Sequence, residues 1–321
     1  MTRYIGRRIL AAIPVLLLAS VLVFVLVRQF GADPARTRCQ QSRDLKCLAR
    51  TRVQLGLDRP LPVQYVDFMG DFVQGDWGTS ERTDQSVAES IGIALGETAQ
   101  LAFWGVAFSS VVAISVGVYS ANKAYSPGDY FFTGLAFAGI AMPTFWFGLI
   151  CINYLTFHLK ELLNTNEVIF FSIPNATGHG AINGFRELAL PVLVLSVQLV
   201  AGWSRYQRSS MLDELDSDYI RTARSKGLTR RRVVWKHGLR NSLGALVTVI
   251  AIDAGALFGG LIVTERVFSR PGMGTLFLNA LGNGDSAVLI PWMIVTGVFI
   301  IIFNLFADIL YGVLDPRVRV A

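Results

Sequence analysis

Hydrophobic positions in this chain fall in long unbroken runs, not in the spaced stripes of a water-soluble helix. Six runs come near the roughly 20 residues a helix needs to cross a bilayer: Ile9–Val27, Thr98–Tyr119, Phe131–Phe157, Leu188–Trp203, Leu243–Thr264 and Leu289–Leu314. The pattern predicts an all-α integral membrane protein with about six transmembrane helices. Pro191 lies near the start of the fourth run, where proline costs a helix least. That run is short and is expected to extend into Ser204–Arg208. Pro143 stands inside the third run, so a kink or broken turn is expected there.

Composition agrees: 52% of residues are hydrophobic and 16% charged, against about 25% charged in a soluble domain. The net charge of +6 is read first through topology, because cytoplasmic loops collect Lys and Arg. With the N-terminus inside, sixteen basic residues fall in inside segments (Arg3 to Arg8, Lys123, Arg205 to Arg240, Arg317 and Arg319). The two short outside loops hold four: Lys160, Arg186, Arg266 and Arg270. Both termini are therefore expected in the cytoplasm, in a multi-pass plasma-membrane protein. The opening run is too long for a signal peptide and has no small-x-small cleavage site after it, so it reads as a retained span. The chain divides into a first helix (1–30), an external loop domain (31–97) and a five-helix core (98–321) with a cytoplasmic loop at 205–242.

In the external loop, "LGLDRPLPVQYVDFMGDFVQGDWGTS" (Leu55–Ser80) predicts a short amphipathic helix near the outer surface, with Val63, Val66, Phe68 and Phe72 among polar positions. Cys39 and Cys47 lie in the same loop, where a disulfide persists if the thiols are paired; the alternative is two free thiols. Cys151 reads as a packing residue.

The segment "DYIRTARSKGLTRRRVVWKHGLRN" (Asp218–Asn241) carries eight basic residues and one acid. Ser217 or Asp216 is a candidate helix cap, and Asp218 suits the first turn. Tyr219, Ala223 and Gly227 fall on one face. Gly227 suits the left-handed turn that ends a helix, and Leu228 the closing apolar contact. Thr229 then caps a second helix, Arg230 to about Arg240. The element is a helix, a glycine turn and a helix between two spans. It serves as a lipid-facing positive loop, a DNA reader or a docking element for a cytoplasmic protein; the closeness of the flanking spans argues against DNA.

"DYIRTARSKGL" (Asp218–Leu228) and "HGLRN" (His237–Asn241) resemble the coupling loop of permease subunits in ATP-binding-cassette importers, especially the peptide/nickel branch. That loop's alanine and glycine correspond to Ala223 and Gly227. The general motif has a glutamate where Arg221 stands and ends in leucine-proline where Leu239-Arg240 stands, departures typical of that branch. "RYIGRRILAAIPVLLLASVLVFVLVR" (Arg3–Arg28), "GDWGTS" (Gly75–Ser80), "MPTFWFG" (Met142–Gly148), "ERVFSRPGMG" (Glu265–Gly274) and "LDPRVR" (Leu314–Arg319) are similar to dipeptide and oligopeptide permeases. "RTRCQQSRDLKCLARTR" (Arg36–Arg52) and "GNGDSAVLIP" (Gly282–Pro291) depart from that pattern.

The resemblance implies the type I importer permease fold and a non-catalytic chain forming half of a pathway for di- or oligopeptides. It also implies a homologous second permease, two ATPase subunits or domains that hold ATP and Mg, and an external substrate-binding protein. The chain has no G-x-x-x-x-G-K-[ST] phosphate loop, so ATP falls to another chain. Asp218, Tyr219, Thr222, Ala223, Lys226, Gly227, Leu228, Arg240 and Asn241 then form the ATPase-coupling loop, with Tyr219 and Ala223 as its contact face.

Within the spans, Asp253 either lines the pathway or is an interhelical hydrogen-bond partner. Gly255 and Gly259, one turn apart, suit close helix packing. Asn304 and Asp308 read as structural, and Glu97 as a headgroup-level residue. An ion-coupled secondary transporter using Asp253 and Asp308 is a further reading, as is import of nickel or another small solute. His158, His179 and His237 lie in different loops, and no catalytic or metal-binding constellation stands out.

Overall fold

The computed structural model describes residues 2–39, 45–158, 181–259 and 261–314. Lys160, His179, Gly260 and the "LDPRVR" ending beyond Leu314 lie outside the described residues. The described chain is helical: α1 (Thr2–Phe30), α2 (Pro34–Arg38), α3 (Leu45–Gln54), α4 (Leu61–Val73), α5 (Val87–Asn122), α6 (Pro127–Ala141), α7 (Thr144–Cys151), α8 (Ala181–Leu215), α9 (Asp218–Ser225), α10 (Arg230–Arg232), α11 (Leu239–Leu257), α12 (Ile262–Val267), α13 (Met273–Asn283) and α14 (Ser286–Leu314). A π-helical turn, Ile152–His158, extends α7, and another, Val233–Gly238, joins α10 to α11.

Among the described residues five stretches are long and apolar enough to span a membrane, and the α6–α7 pair makes a sixth, bent by 104°. The bend falls at Met142–Pro143, where proline withholds a donor and caps α7, as the sequence predicts. The helices outrun the apolar runs. α5 begins at Val87, behind Ser86, whose hydroxyl accepts from the Glu89 amide at 3.4 Å. α8 continues to Leu215, twelve residues past Trp203. The fifth span, by contrast, ends earlier than expected: α11 stops at Leu257, and Ile262–Thr264 belong to the separate α12.

α5 and α8 form the spine. Leu101 packs with Leu188 and Leu195, and Ala113 with Trp203 and Leu246 of α11. At one end of the bundle Arg208 of α8 meets the buried Asp129 of α6, and Arg8 of α1 pairs with Asp308 of α14 at 2.8 Å. Asp308 thus ties α1 to α14.

The 31–97 segment covers the opposite end. Cys39 and Cys47 are bonded, S–S 2.14 Å, which staples α2 to α3. The expected amphipathic helix is α4, and its buried side differs from the expected one. Leu61, Tyr65, Phe68, Met69 and Phe72 pack on Phe24 of α1 and Ile290 and Ile294 of α14, whereas Val63 and Val66 are exposed. Just beyond, Ser80 donates to Asp285 at 2.5 Å, and Glu81 accepts from the Ser286 hydroxyl at 2.8 Å and from its amide at 3.2 Å. Burial pushes the Glu81 carboxyl above its ordinary range; the neighbouring Asp285 charge adds to this, and the Ser286 bonds oppose it.

The "ERVFSRPGMG" stretch is pinned to α5 in a similar way. Buried Glu265 accepts from Thr98 at 2.6 Å and from the Thr275 amide at 3.0 Å, and the Thr98 hydroxyl accepts from the Met273 amide at 2.8 Å. Glu97, expected at headgroup level, is the ion-pair partner of the buried Arg270. Burial raises the Glu265 carboxyl pKa.

Candidate functional site

The basic segment folds as a hairpin whose second arm is continuous with a span. α9 follows α8 after a break at Asp216–Ser217, and helix runs from Arg230 to Leu257 through the π turn. The two arms meet on Ile220, Ala223, Val233 and Leu228. Gly227 takes φ +77°, in the left-handed region where side chains are strained, and its amide donates to Arg224 O at 2.9 Å. The Leu228 amide reaches Ala223 O at 3.4 Å, and its side chain closes the turn.

Three expectations change here. Ser217 stands at the cap position, but its hydroxyl donates back to Glu214 O at 2.6 Å and caps nothing. Thr229 likewise makes no side-chain cap. Ala223 is 9% exposed and packs with Val233, so it belongs to the core between the two arms and not to an outward contact face with Tyr219. A small side chain is needed there because the second arm passes close by.

Tyr219 sits on the exposed side, 40% accessible as a residue. Its hydroxyl donates to Glu214 and accepts from Asn241 Nδ2 at 2.8 Å. Burial and the Glu214 carboxylate raise the phenol's pKa, so it remains a neutral donor. Tyr219 and Asn241 thereby lock the end of α8 to the start of α11. The outward surface of α9 is polar: Asp218, Thr222 and Lys226 are exposed with Arg221 and Ser225. Thr222 donates to Asp218 O at 3.0 Å. Arg240 is exposed on the second arm.

Two arginines fasten the hairpin to the bundle. Arg230 donates to Asn122 O at 2.6 Å and to Asn122 Oδ1 at 3.1 Å, at the carboxyl end of α5. Arg224 reaches Leu215 O, at the carboxyl end of α8, at 3.5 Å. Cations at helix carboxyl ends meet unpaired carbonyls and the negative end of the dipole. Sequence reasoning missed both contacts and the Arg208–Asp129 pair. Asp129 shows in the sequence only as a first-turn acid after Ser126-Pro127, and nothing there marks its partner.

Deeper in the bundle, Trp203 Nε1 donates to Asp253 Oδ2 at 2.7 Å, so Asp253 is an interhelical hydrogen-bond partner. Gly255 packs as expected: a Cβ there would stand 2.7 Å from Phe303 Cβ of α14. Gly259 does not share that helix face, because α11 ends at Leu257 and Gly259 lies in the following turn, beside Thr296.

Long apolar helices, one sharply bent pair and a basic hairpin linking two spans are the parts of a membrane-embedded chain. The architecture is the type I permease fold of ATP-binding-cassette importers. The chain belongs to the family of binding-protein-dependent transport system inner membrane components: residues 113–320 match that family, and residues 1–102 match its N-terminal companion. It is thus a multi-pass membrane protein. The similarity extends end to end. The oligopeptide transport system permease protein AppB of Bacillus subtilis (strain 168) is 38% identical over 327 residues, 99% of this chain and 100% of that protein. The dipeptide transport system permease protein DppB of Escherichia coli (strain K12) is 34% identical over 336 residues, 99% of each chain. A putative peptide permease protein of Brucella ovis is 39% identical over 326 residues, 100% of each.

Proposed function

We propose that this chain is one of two homologous permease subunits in an ATP-driven importer of di- or oligopeptides. Both termini and the hairpin face the cytoplasm, and the 31–97 domain faces outward toward a substrate-binding protein. ATP and Mg are bound by partner ATPase subunits, which this chain contacts through the exposed side of α9: Asp218, Tyr219, Thr222 and Lys226, with Arg240 and Asn241 beside it. Closure of the ATPases carries α9. Because the hairpin is fixed to α5, α8 and α11, the spans move with it and the pathway changes side, a rigid two-state element biased by a ligand bound elsewhere.

The observation that carries this reading is the construction of the hairpin, with Arg230, Arg224, Tyr219 and Asn241 joining a surface element to three membrane helices. The end-to-end similarity to chains named for peptide transport supports the substrate. Ion coupling through intramembrane carboxylates is disfavoured, since Asp253 is engaged by Trp203 and Asp308 by Arg8.

The test is uptake of a labelled dipeptide into proteoliposomes holding the full complex. Uptake requires ATP and ignores a protonophore. Gly227→Val inserts normally and hydrolyses ATP but loses uptake. Uptake without ATP, or normal uptake by Gly227→Val, overturns the reading.

A further inference from the structure

Four stretches converge on one cavity of about 410 Å³ where the external segment meets the ends of α1 and α14. The end of α1 supplies Arg28. The chain after the disulfide-stapled α3 supplies Leu55 and Gly56, and "GDWGTS" supplies Asp76 and Trp77. The start of α14, within "GNGDSAVLIP", supplies Ser286. Small-molecule sites of roughly 300–1,000 Å³ are ordinary.

The charges on its walls are unevenly satisfied. Arg38 is paired with Asp84 and Arg59 with Asp67. Glu81 is held by Ser286, and its charge, with that of Asp33, also acts on Arg28 without a hydrogen bond to it. Arg28 is different: its guanidinium lies over the Phe24 ring, 5.4 Å from the centroid. Its Nε and Nη1 are buried, with no hydrogen-bond partner among the described residues. Asp71 and Asp76 also line the cavity, on α4 and just after it; both are exposed, Asp76 accepts from the Gly78 amide at 3.0 Å, and neither has an ion-pair partner among the described residues. Phe68 and Trp77 add apolar surface to the walls.

Buried donors without acceptors are costly, and a charged acceptor relieves them best. A guanidinium presents a planar fork that matches a carboxylate. A dianion would face Asp71, Asp76 and Glu81, and a ligand without an acceptor would leave the Nε and Nη1 donors of Arg28 unmet. We propose that this cavity binds a small zwitterion, with its carboxylate on Arg28 and its ammonium group on Asp71 and Asp76. A free amino acid and a short peptide share that chemistry. The site rests on the chemistry of its walls, independently of the import reading.

The experiment is equilibrium dialysis of the full chain, purified in nanodiscs with the subunits it assembles with and without a binding protein. The probes are radiolabelled alanine, alanyl-alanine, and its N-acetyl and C-amide forms. Saturable binding is expected for alanine, for alanyl-alanine or for both, and the two arms separate a free amino acid from a peptide. Each cap, and separately Arg28→Gln, weakens binding at least about tenfold, as loss of a charge-assisted contact does; Arg28→Lys loses less. No saturable binding of either probe up to about 10 mM, or binding indifferent to Arg28→Gln, overturns the proposal. If Arg28→Gln does not fold, indifference of the unaltered protein to both caps does so. ATP-independent uptake would sink the import reading and leave this binding untouched.

Discussion

Arg208 and Asp129 meet through two parallel hydrogen bonds, Nε to Oδ1 at 2.8 Å and Nη2 to Oδ2 at 2.7 Å. The carboxylate is 2% exposed and also accepts from the Tyr125 amide at 2.8 Å. The pair fixes the start of α6 to α8, close to where α8 leaves the core for the hairpin.

Breaking this pair on one side strands a buried charge, at a cost of about 3–5 kcal/mol. The lower end applies, because the Arg208 side chain is 25% exposed. Arg208→Ala therefore melts well below the unaltered protein in detergent. The double variant Arg208→Met, Asp129→Leu recovers most of the loss. Equal melting of the single variant and the parent would remove the pair's structural role.

Glu81 gives the external domain a pH response of definite sign. Its folded pKa is raised above the ordinary 4.5. Its contribution to stability is therefore full below the unfolded value and falls away as pH rises through the folded one. Burial is the main cause; the Ser286 bonds and the Arg28 charge oppose it, and the Asp285 charge adds to it. Thermal melts from pH 5 to pH 8 should show declining stability of the Ser80–Ser286 junction, and Glu81→Gln should flatten that decline.

The Cys39–Cys47 bridge closes a short loop of separation 8, worth about 2–3 kcal/mol on loop-entropy grounds. Alkylation with and without reduction should differ by two labels. Cys39→Ser with Cys47→Ser should lower the melting temperature and leave insertion intact. Full alkylation without a reductant would contradict the bridge.

Glycines in the spans should sort by their surroundings. Gly255→Ala forces its new carbon against Phe303 at 2.7 Å and should destabilise by about 1–3 kcal/mol, the cost of overpacking. Gly134, also within a helix, has nothing within 4 Å of an added carbon. Gly134→Ala should be neutral or stabilising by up to about 1 kcal/mol. Comparison of the two melts decides whether contact, and not helix propensity, governs these positions.

What the sequence made legible was whatever depends on local pattern. Unbroken apolar runs located the spans, Pro143 located the bend, and Gly227 followed by Leu228 located the turn. Helix ends were misjudged where polar residues continue a helix beyond the apolar zone, as at Val87 and Leu215. The reverse happened at Gly259, where an apolar run outlasts its helix. Orientation on the hairpin was missed because Ala223 turns inward toward a residue on the other arm. The polar junctions were invisible for a plainer reason. Asp129 and Arg208 are 79 positions apart and Glu81 and Ser286 are 205 apart, and no local pattern records such a meeting.

The unbroken path from Arg230 to Leu257 has one more implication. Twenty-eight residues make a shaft about 42 Å long at 1.5 Å per residue. A tilt of about ten degrees at its basal end would sweep the far tip through about 7 Å on that helical geometry. A small push on a surface arginine cluster becomes, by leverage alone, a displacement wider than a peptide backbone.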